Sequence, residues 1–384
     1  MLQNPKPTTP LLNVRIGSGD LTLETPNEVL LRLDAEGRWC SFRPGALLHR
    51  RTLDGKVVVH RGRRIHELAS EMADDLHETV AHFARNLVEK IENGVLEVAL
   101  HGRNVQEKTL QDRLRAAMEW TPARFRLEKD RFADAYPEPV FILPPDRYRD
   151  VVLLPALGCP HGRCSFCAFY RGRGFRILES AEFENHLAAV RRFFGGALQA
   201  RDGIFLGSAS ALSLSQHKLL QVLDRVNRVM GPQRRSIAAF HDPDHSPQRT
   251  PDEYETLLAQ GLDFITVGLE TGLPKLRNTL GKRGSVDRII EAVTRQKRAG
   301  MHCGVTVLVG AGGVDAAPDH REATIGAICQ MPLGSGDQVY LSPLEGSLAP
   351  AHLEMEFNRF ADALARSIPA KIVPYRIDRY HYFS

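Results

Sequence analysis

The chain has 384 residues, 43% hydrophobic and 25% charged, the profile of a folded protein with apolar material for one large core or two moderate ones. The 50 lysines and arginines against 46 aspartates and glutamates leave a net charge of +4, too small to demand a nucleic acid or a membrane as partner. The opening MLQNPKPTTPLLNVRIGSG has no apolar stretch behind a basic start, and no run of about 18 apolar residues follows. A cytoplasmic location with no membrane partner is therefore expected.

In chain order, residues 1–136 begin with short alternating runs, NVRI, LTLET and EVLLRL, that read as strands. Asp54-Gly55 separates LLHRRTL from KVVVHR, which predicts a hairpin. Leu68, Met72, Leu76, Val80, Phe83, Leu87 and Ile91 recur in steps of three and four and predict a long amphipathic helix. Leu110, Leu114 and Met118 predict a shorter one, making 1–136 an N-terminal α+β accessory domain. Its residues 49–66 carry Arg50, Arg51, Lys56, Arg61, Arg63, Arg64 and three histidines against one aspartate. A grip on RNA phosphates is one reading of that hairpin. The aromatic interleaving of a base-stacking platform is missing, so a solvated hairpin is the simpler one.

Residues 137–149, PEPVFILPPDRYR, hold four prolines, which fix φ and deny backbone donors, and read as a linker. From 150 to 345 strands alternate with helices: strands at 151–157, 203–207, 236–240, 263–269, 303–310 and 338–342, helices near 180–195, 215–230, 252–260, 286–299 and 319–331. Nearly continuous apolar strands alternating with helices predict an α/β fold, a parallel sheet covered by helices, open or closed as a barrel. Residues 346–384 form a C-terminal extension whose KIVPYRIDRYHYF either adds a strand or closes the barrel's floor or mouth. In such folds chemistry gathers at the carboxyl ends of the strands.

Three of the six cysteines fall there, in GCPHGRCSFCAFY, as Cys159, Cys164 and Cys167. With no export signal a disulfide framework is not expected, and clustered thiols point to metal or redox chemistry. Three thiolates on a short loop can hold three corners of an iron–sulfur cluster or three positions around zinc. A closed zinc site needs a fourth ligand, and no second C-x2-C pair occurs; His161 is only two residues from Cys159. Cys40, Cys303 and Cys329 are too scattered for a second cluster, and each is expected to be a small buried residue.

The cysteine loop resembles the cluster motif of the radical S-adenosylmethionine (radical SAM) enzymes, with Phe166 before the third cysteine, although its C-x4-C-x2-C spacing is one residue longer than the commonest C-x3-C-x2-C. The resemblance covers about residues 150–345 and implies a partial (β/α)6 barrel. It implies a [4Fe–4S] cluster on Cys159, Cys164 and Cys167 with S-adenosylmethionine at the fourth iron. Reductive cleavage would give methionine and a 5′-deoxyadenosyl radical that abstracts hydrogen, drawing on an electron donor such as flavodoxin or ferredoxin. Further motifs match unevenly. Gly207, Ser208 and Ala209 stand where the family carries Gly-Gly-Glu, without the acid. VGLETG is similar to the GLESG of the branch that includes coproporphyrinogen oxidases, which makes Glu270 a ribose or methionyl contact. LVGAGG resembles an adenine strip, with Leu308 and Gly310 in register.

Each of these has a plainer reading: tight βα turns for the glycines, a helix-capping acid for Glu270. Arg171, Arg173 and Arg176 are either substrate-holding cations or a solvated loop. In FHDPDHSP, His241, Asp242, Asp244 and His245 are either a substrate or proton-relay group or a polar turn. No Asp-x-His-x-x-Gly loop sits in an N-terminal Rossmann unit, which argues against cobalamin, and no C-terminal cysteine run marks a multi-cluster peptide maturase. The expected substrate is a small molecule, with RNA as the alternative. A non-enzymatic iron–sulfur or zinc sensor or carrier is the rival from another class.

Overall fold

A computed structural model describes residues 9–62, 64–102, 106–207, 209–231 and 236–384. The chain falls into two compact units, the first comprising residues to Pro137 with Ala189–Arg201 and His381–Ser384, the second Glu138–Ala188 with Asp202–Tyr380.

The first unit is a mixed sheet with helices. Its strands are β1 (Leu11–Ile16), β2 (Asp20–Glu24), β3 (Leu30–Asp34), β4 (Trp39–Arg43), β5 (Leu48–Arg51), β6 (Val57–Arg61), β7 (Arg64–Glu67) and β8 (Glu97–His101). They pair in the order β7-β6-β5-β4-β3-β2-β1-β8, antiparallel except for β1 with β8. The helices are α1 (Ser70–Glu92), α2 (Glu107–Met118) and α3 (Pro122–Ala135). Alternation sends Leu12, Val14, Leu21, Leu23, Leu31 and Leu33 to one face, where they meet Val80, Ala84, Leu110 and Leu114. The stripe of α1 is rotated from the expected one: Met72 is exposed, while Ala73, His77 and Ala84 are buried. Small residues let the helix lie close to the sheet, and the longer Leu76, Phe83 and Ile91 flank the contact half-buried.

Two arginines are part of this core. Arg38 is held between the carboxylates of Asp34 and Glu128 and donates to the carbonyls of Phe193 and Phe194 at 2.8 and 2.9 Å. Arg51, read from its sequence context as part of a basic surface, is fully buried, donating to the Trp39 carbonyl at 2.9 Å with its guanidinium 5.2 Å from the Phe125 ring centre. Of the same hairpin, Lys56 pairs with Glu67, Arg50 covers the Phe383 ring, and Arg63 lies outside the described residues.

The second unit is a parallel α/β layer. It runs β9 (Val151–Leu153), β10 (Ala156–Leu157), β11 (Arg176–Ile177), α4 (Ser180–Phe194, of which the part from Ala189 belongs to the first unit), β12 (Ile204–Leu206), α5 (Gln216–Met230), β13 (Ile237–His241), α6 (Pro251–Ala259), β14 (Leu262–Glu270), α7 (Pro274–Thr279), α8 (Val286–Arg298), β15 (His302–Val309), α9 (Gly313–Cys329), β16 (Gln338–Pro343), α10 (Pro350–Ser367) and β17 (Lys371–Pro374). Seven strands pair in parallel in the order β17-β16-β15-β14-β13-β12-β9. Six were expected; the seventh comes from the C-terminal extension, as an added strand beside β16. Residues from the carboxyl-terminal parts or following loops of β10 and β12–β17 line one common cavity, so the sheet curls around it as a partial barrel.

The expected strand 151–157 is interrupted. Pro155 offers no N–H, and Ala156–Leu157 turns away to pair antiparallel with β11. Helix α9 starts six residues before the expected 319, because GGVDAAPD reads as loop although its proline is tolerated inside the helix. Cys40 and Cys303 are buried as expected, whereas Cys329, the last residue of α9, is exposed. No helix among the described residues is long and apolar enough to cross a membrane.

Candidate functional site

The cysteine loop leaves β10 through Gly158, whose φ of +74° and close approach to the Gly174 carbonyl admit only glycine; its N–H donates to buried Glu138 at 2.9 Å. The loop is then tied to the end of α7. The Ser165 N–H donates to the Leu280 carbonyl at 3.0 Å, and His161 donates through Nε2 to the Gly281 carbonyl at 2.7 Å. Gly281, at φ +74°, lies so near the Arg163 carbonyl that an added Cβ would sit 2.9 Å from it. Thus anchored, the loop brings Cys159, Cys164 and Cys167 to the wall of one cavity of about 240 Å³. All three are free thiols, and the Gly162 N–H points at Cys159 Sγ from 3.3 Å. Among the described residues no group of three His, Cys, Asp or Glu stands preassembled as a metal site. Burial pushes the Cys164 thiol up to about 11, against the partial relief of Lys282, and raises Cys159 as well.

Across the cavity β14 ends in a bulge, with the register shifting between Gly268 and Glu270 and Glu270 held at φ +63°. The Glu270 carboxylate therefore turns inward, where it accepts a hydrogen bond from Thr306 Oγ1 at 3.3 Å and faces Lys282 Nζ at 3.8 Å. Gly268 makes the room: a Cβ there would lie 2.6 Å from Glu270 Oε1 and 3.0 Å from Lys282 Nζ. Glu270 does not cap the next helix, whose N-cap is Leu273. Burial raises the Glu270 carboxyl above its usual range. Burial works against the Lys282 charge too, but Glu270, Asp242 and Cys164 outweigh it and hold the ammonium above its ordinary pKa. Lys282 and Thr306 carry no motif, and only their meeting across three elements marks them.

The polar turn after β13 divides. Asp242 lines the cavity and accepts from His245 Nδ1 at 2.9 Å; burial opposes its charge, but Lys282 and His245 hold it below the usual carboxylate range. His245 stacks near His161, with ring centres 4.5 Å apart. Asp244 instead forms a buried pair with Arg277 at 2.7 Å, and Arg277 also donates to the Leu269 carbonyl inside the β14 bulge. His241 bonds through Nδ1 to Gln296 and, by burial, is lowered to about 3 and stays neutral.

Of the other predicted residues, Phe166, Ala209 and Leu308 line the cavity, and Phe166 packs on Leu276, Leu280 and Leu308. Gly207 and Gly310 are close-packed turns: a Cβ would meet Leu154 at 2.8 Å in the first and Ser347 at 2.6 Å in the second. Ser208 lies outside the described residues. Arg171, Arg173 and Arg176 do not line the cavity. Arg171 donates to the Ser165 carbonyl, Arg173 covers Phe141, and Arg176 pairs with Glu182 at 2.8 Å.

Comparison with known proteins gives three kinds of result. Residues 153–322 match the family described as the Radical SAM superfamily. No curated protein matches the chain. Solved structures that resemble it include the radical S-adenosylmethionine methyltransferase TsrM from Kitasatospora setae, at 19% identity over 50% of this chain and 36% of that one, with a TM-score of 0.38. Coproporphyrinogen III oxidase HemN from Escherichia coli matches at 12% identity over 58% and 54%, with a TM-score of 0.41. SuiB from Streptococcus suis matches at 14% identity over 86% and 72%, with a TM-score of 0.44. The chain spans about a third of the length of the TsrM chain it matches. Residues 153–322, which include the cysteine loop and strands β12–β15 of the partial barrel, are the part of the chain that is similar to the Radical SAM superfamily.

Proposed function

We propose that the chain is a radical SAM enzyme that binds a [4Fe–4S] cluster through Cys159, Cys164 and Cys167, takes S-adenosylmethionine at the fourth iron and acts on a small molecule. The observation that carries this reading is that the three thiols share one cavity with the buried Glu270–Lys282 pair. The donor set fits: three soft sulfur ligands come from one anchored loop, with no fourth cysteine beside them and open space in front. Such a group supplies one electron to break a carbon–sulfur bond, yielding methionine and a 5′-deoxyadenosyl radical that abstracts hydrogen.

The chain's own residues bind and orient. Phe166 and Leu308 offer an apolar wall for the adenine, and the backbone at Gly207 and Ala209 offers polar groups to the methionyl end. Glu270, fixed by Thr306 and Lys282, accepts a hydrogen bond from the ribose or the amine. Gly310 shapes the turn behind Leu308. His241 and Asp242 edge the same space, and His245, bonded to Asp242 from behind, can share a proton with it beside the substrate. The VGLETG strand end, similar to GLESG, supports a place in the branch that includes coproporphyrinogen oxidases. A flavodoxin or ferredoxin is the matching electron donor.

The test is anaerobic reconstitution with iron and sulfide, followed by electron paramagnetic resonance of the reduced protein with and without S-adenosylmethionine. The reading requires a [4Fe–4S] signal that changes when S-adenosylmethionine is added. A cluster spectrum indifferent to it favours the sensor or carrier, and zinc binding alone makes the loop structural.

A further inference from the structure

Among the described residues, four that line the cavity carry a buried polar atom with no hydrogen-bond partner: His241 through Nε2, and three hydroxyls. Thr266 on β14, Ser342 on β16 and Tyr375 just after β17 all line it, all are at least 97% buried, and none of their hydroxyls has a hydrogen-bond partner. Buried hydroxyls are almost always paired, because leaving one unpaired in a dry site is costly. Three in one wall are therefore a feature that folding alone does not favour.

Their placement separates them from the thiols. In the sheet order β17-β16-β15-β14-β13-β12-β9, the cysteine loop comes after the edge strand β9 by way of β10, while Ser342 stands on β16 and Tyr375 just after β17 at the other edge. Thr266 lies four residues before Glu270 on β14, level with Gly304 of β15, so it sits deeper than the Glu270–Lys282 pair. Gly304 is closely packed there: an added Cβ would lie 2.5 Å from the Tyr340 ring and 2.9 Å from Thr266 Oγ1, so the threonine hydroxyl keeps its place only beside a glycine. The single lysine or arginine among the described lining residues is Lys282, already facing Glu270. The rest of the wall is largely apolar, with Ile142, Phe169, Phe240 and Ile377.

We propose that this hydroxyl wall is the substrate subsite, and that it takes a small uncharged compound rich in hydroxyl or carbonyl oxygens, of the sugar or polyol class. A hydroxyl both donates and accepts, so it pairs with an alcohol or carbonyl in either sense, whereas a carboxylate or phosphate would meet no free cation here. The inference rests on the proposed function for the identity of the reaction, but its test does not.

The experiment is saturation-transfer NMR on the reconstituted full chain with S-adenosylmethionine, using myo-inositol, D-glucose and D-ribose as neutral probes and ribose 5-phosphate and citrate as anionic ones. At least one neutral probe is expected to bind in preference to both anions. Each of Thr266→Val, Ser342→Ala and Tyr375→Phe should weaken that probe about five- to tenfold, the worth of one hydrogen bond. Because each variant removes an unpaired buried polar atom, its melting temperature should equal or exceed the native value. Arg173→Ala, outside the cavity, should leave binding unchanged. Three results would overturn the proposal: anions binding while neutral probes do not, melting temperatures falling with binding intact, or the variants weakening S-adenosylmethionine instead of the probe. If the native protein binds a neutral probe through these hydroxyls yet gives no response to S-adenosylmethionine, the proposed function fails and the subsite stands.

Discussion

Replacing Lys282 with methionine removes the cation from a pair in which both side chains are nearly buried. At 3.8 Å the attraction to Glu270 is about 4 kcal/mol in an effective dielectric of about 20. Removing one member of a buried pair costs about 3–5 kcal/mol, less whatever Glu270 recovers by taking up a proton, which its raised pKa makes easier. The Lys282→Met variant should therefore be less stable by about 2–4 kcal/mol near neutral pH and recover as pH falls and Glu270 protonates. The double variant with Glu270→Gln should return to within about 1 kcal/mol of native, since it leaves no charge unpaired. The assay is amide hydrogen exchange over β14 and β15 in urea, because both tryptophans, Trp39 and Trp120, belong to the other unit and do not report on this one. Equal stability of the single variant and the native chain, with no coupling in the double-mutant cycle, would refute the pairing.

Three further outcomes follow from the geometry. Arg38→Met leaves Asp34 and Glu128 facing each other without their shared cation and should cost about 3–5 kcal/mol, read from the tryptophan fluorescence transition; an unchanged midpoint would contradict the network. His77, lowered by burial to about 3, stays neutral in the folded chain while the unfolded chain protonates near 6.5. Stability of the first unit should therefore fall by about 2 kcal/mol from pH 6.5 to 5, and the slope should flatten in His77→Gln. A native slope surviving in that variant would assign the protons elsewhere. Gly281→Ala strains a left-handed residue by about 1–2 kcal/mol and crowds the Arg163 carbonyl, so iron bound per chain after reconstitution should drop; native loading would show that α7 does not hold the loop.

What could be read from the sequence depended on whether the signal was local. The cysteine loop announces itself by spacing, and the barrel strands by apolar runs between helices, so the α/β barrel with an α+β accessory unit was legible. Charge was misleading where it was taken for exposure: Arg51 is a core residue, and no property of HRRTL distinguishes it from Arg50. Strands β4, β7 and β8 went unseen; β8 pairs in parallel with β1 more than 80 residues earlier, which no local pattern records. Helix α3 could have been found, since Thr121 followed by Pro122 is a cap with proline at the first helical position. The cavity was the least legible part. Lys282, Thr306, Ser342 and Tyr375 come from separate elements, and only the curl of the sheet brings them to one wall.

The most direct measurement is mass-spectrometric detection of 5′-deoxyadenosine after anaerobic reconstitution, reduction and addition of S-adenosylmethionine, with Cys164→Ala run in parallel and a neutral sugar included as candidate substrate. Formation of 5′-deoxyadenosine by the native protein and its loss in the variant is the predicted result. Equal amounts from both proteins, or none from a native protein carrying an intact reduced cluster and bound S-adenosylmethionine, would contradict an active site built on Cys159, Cys164 and Cys167.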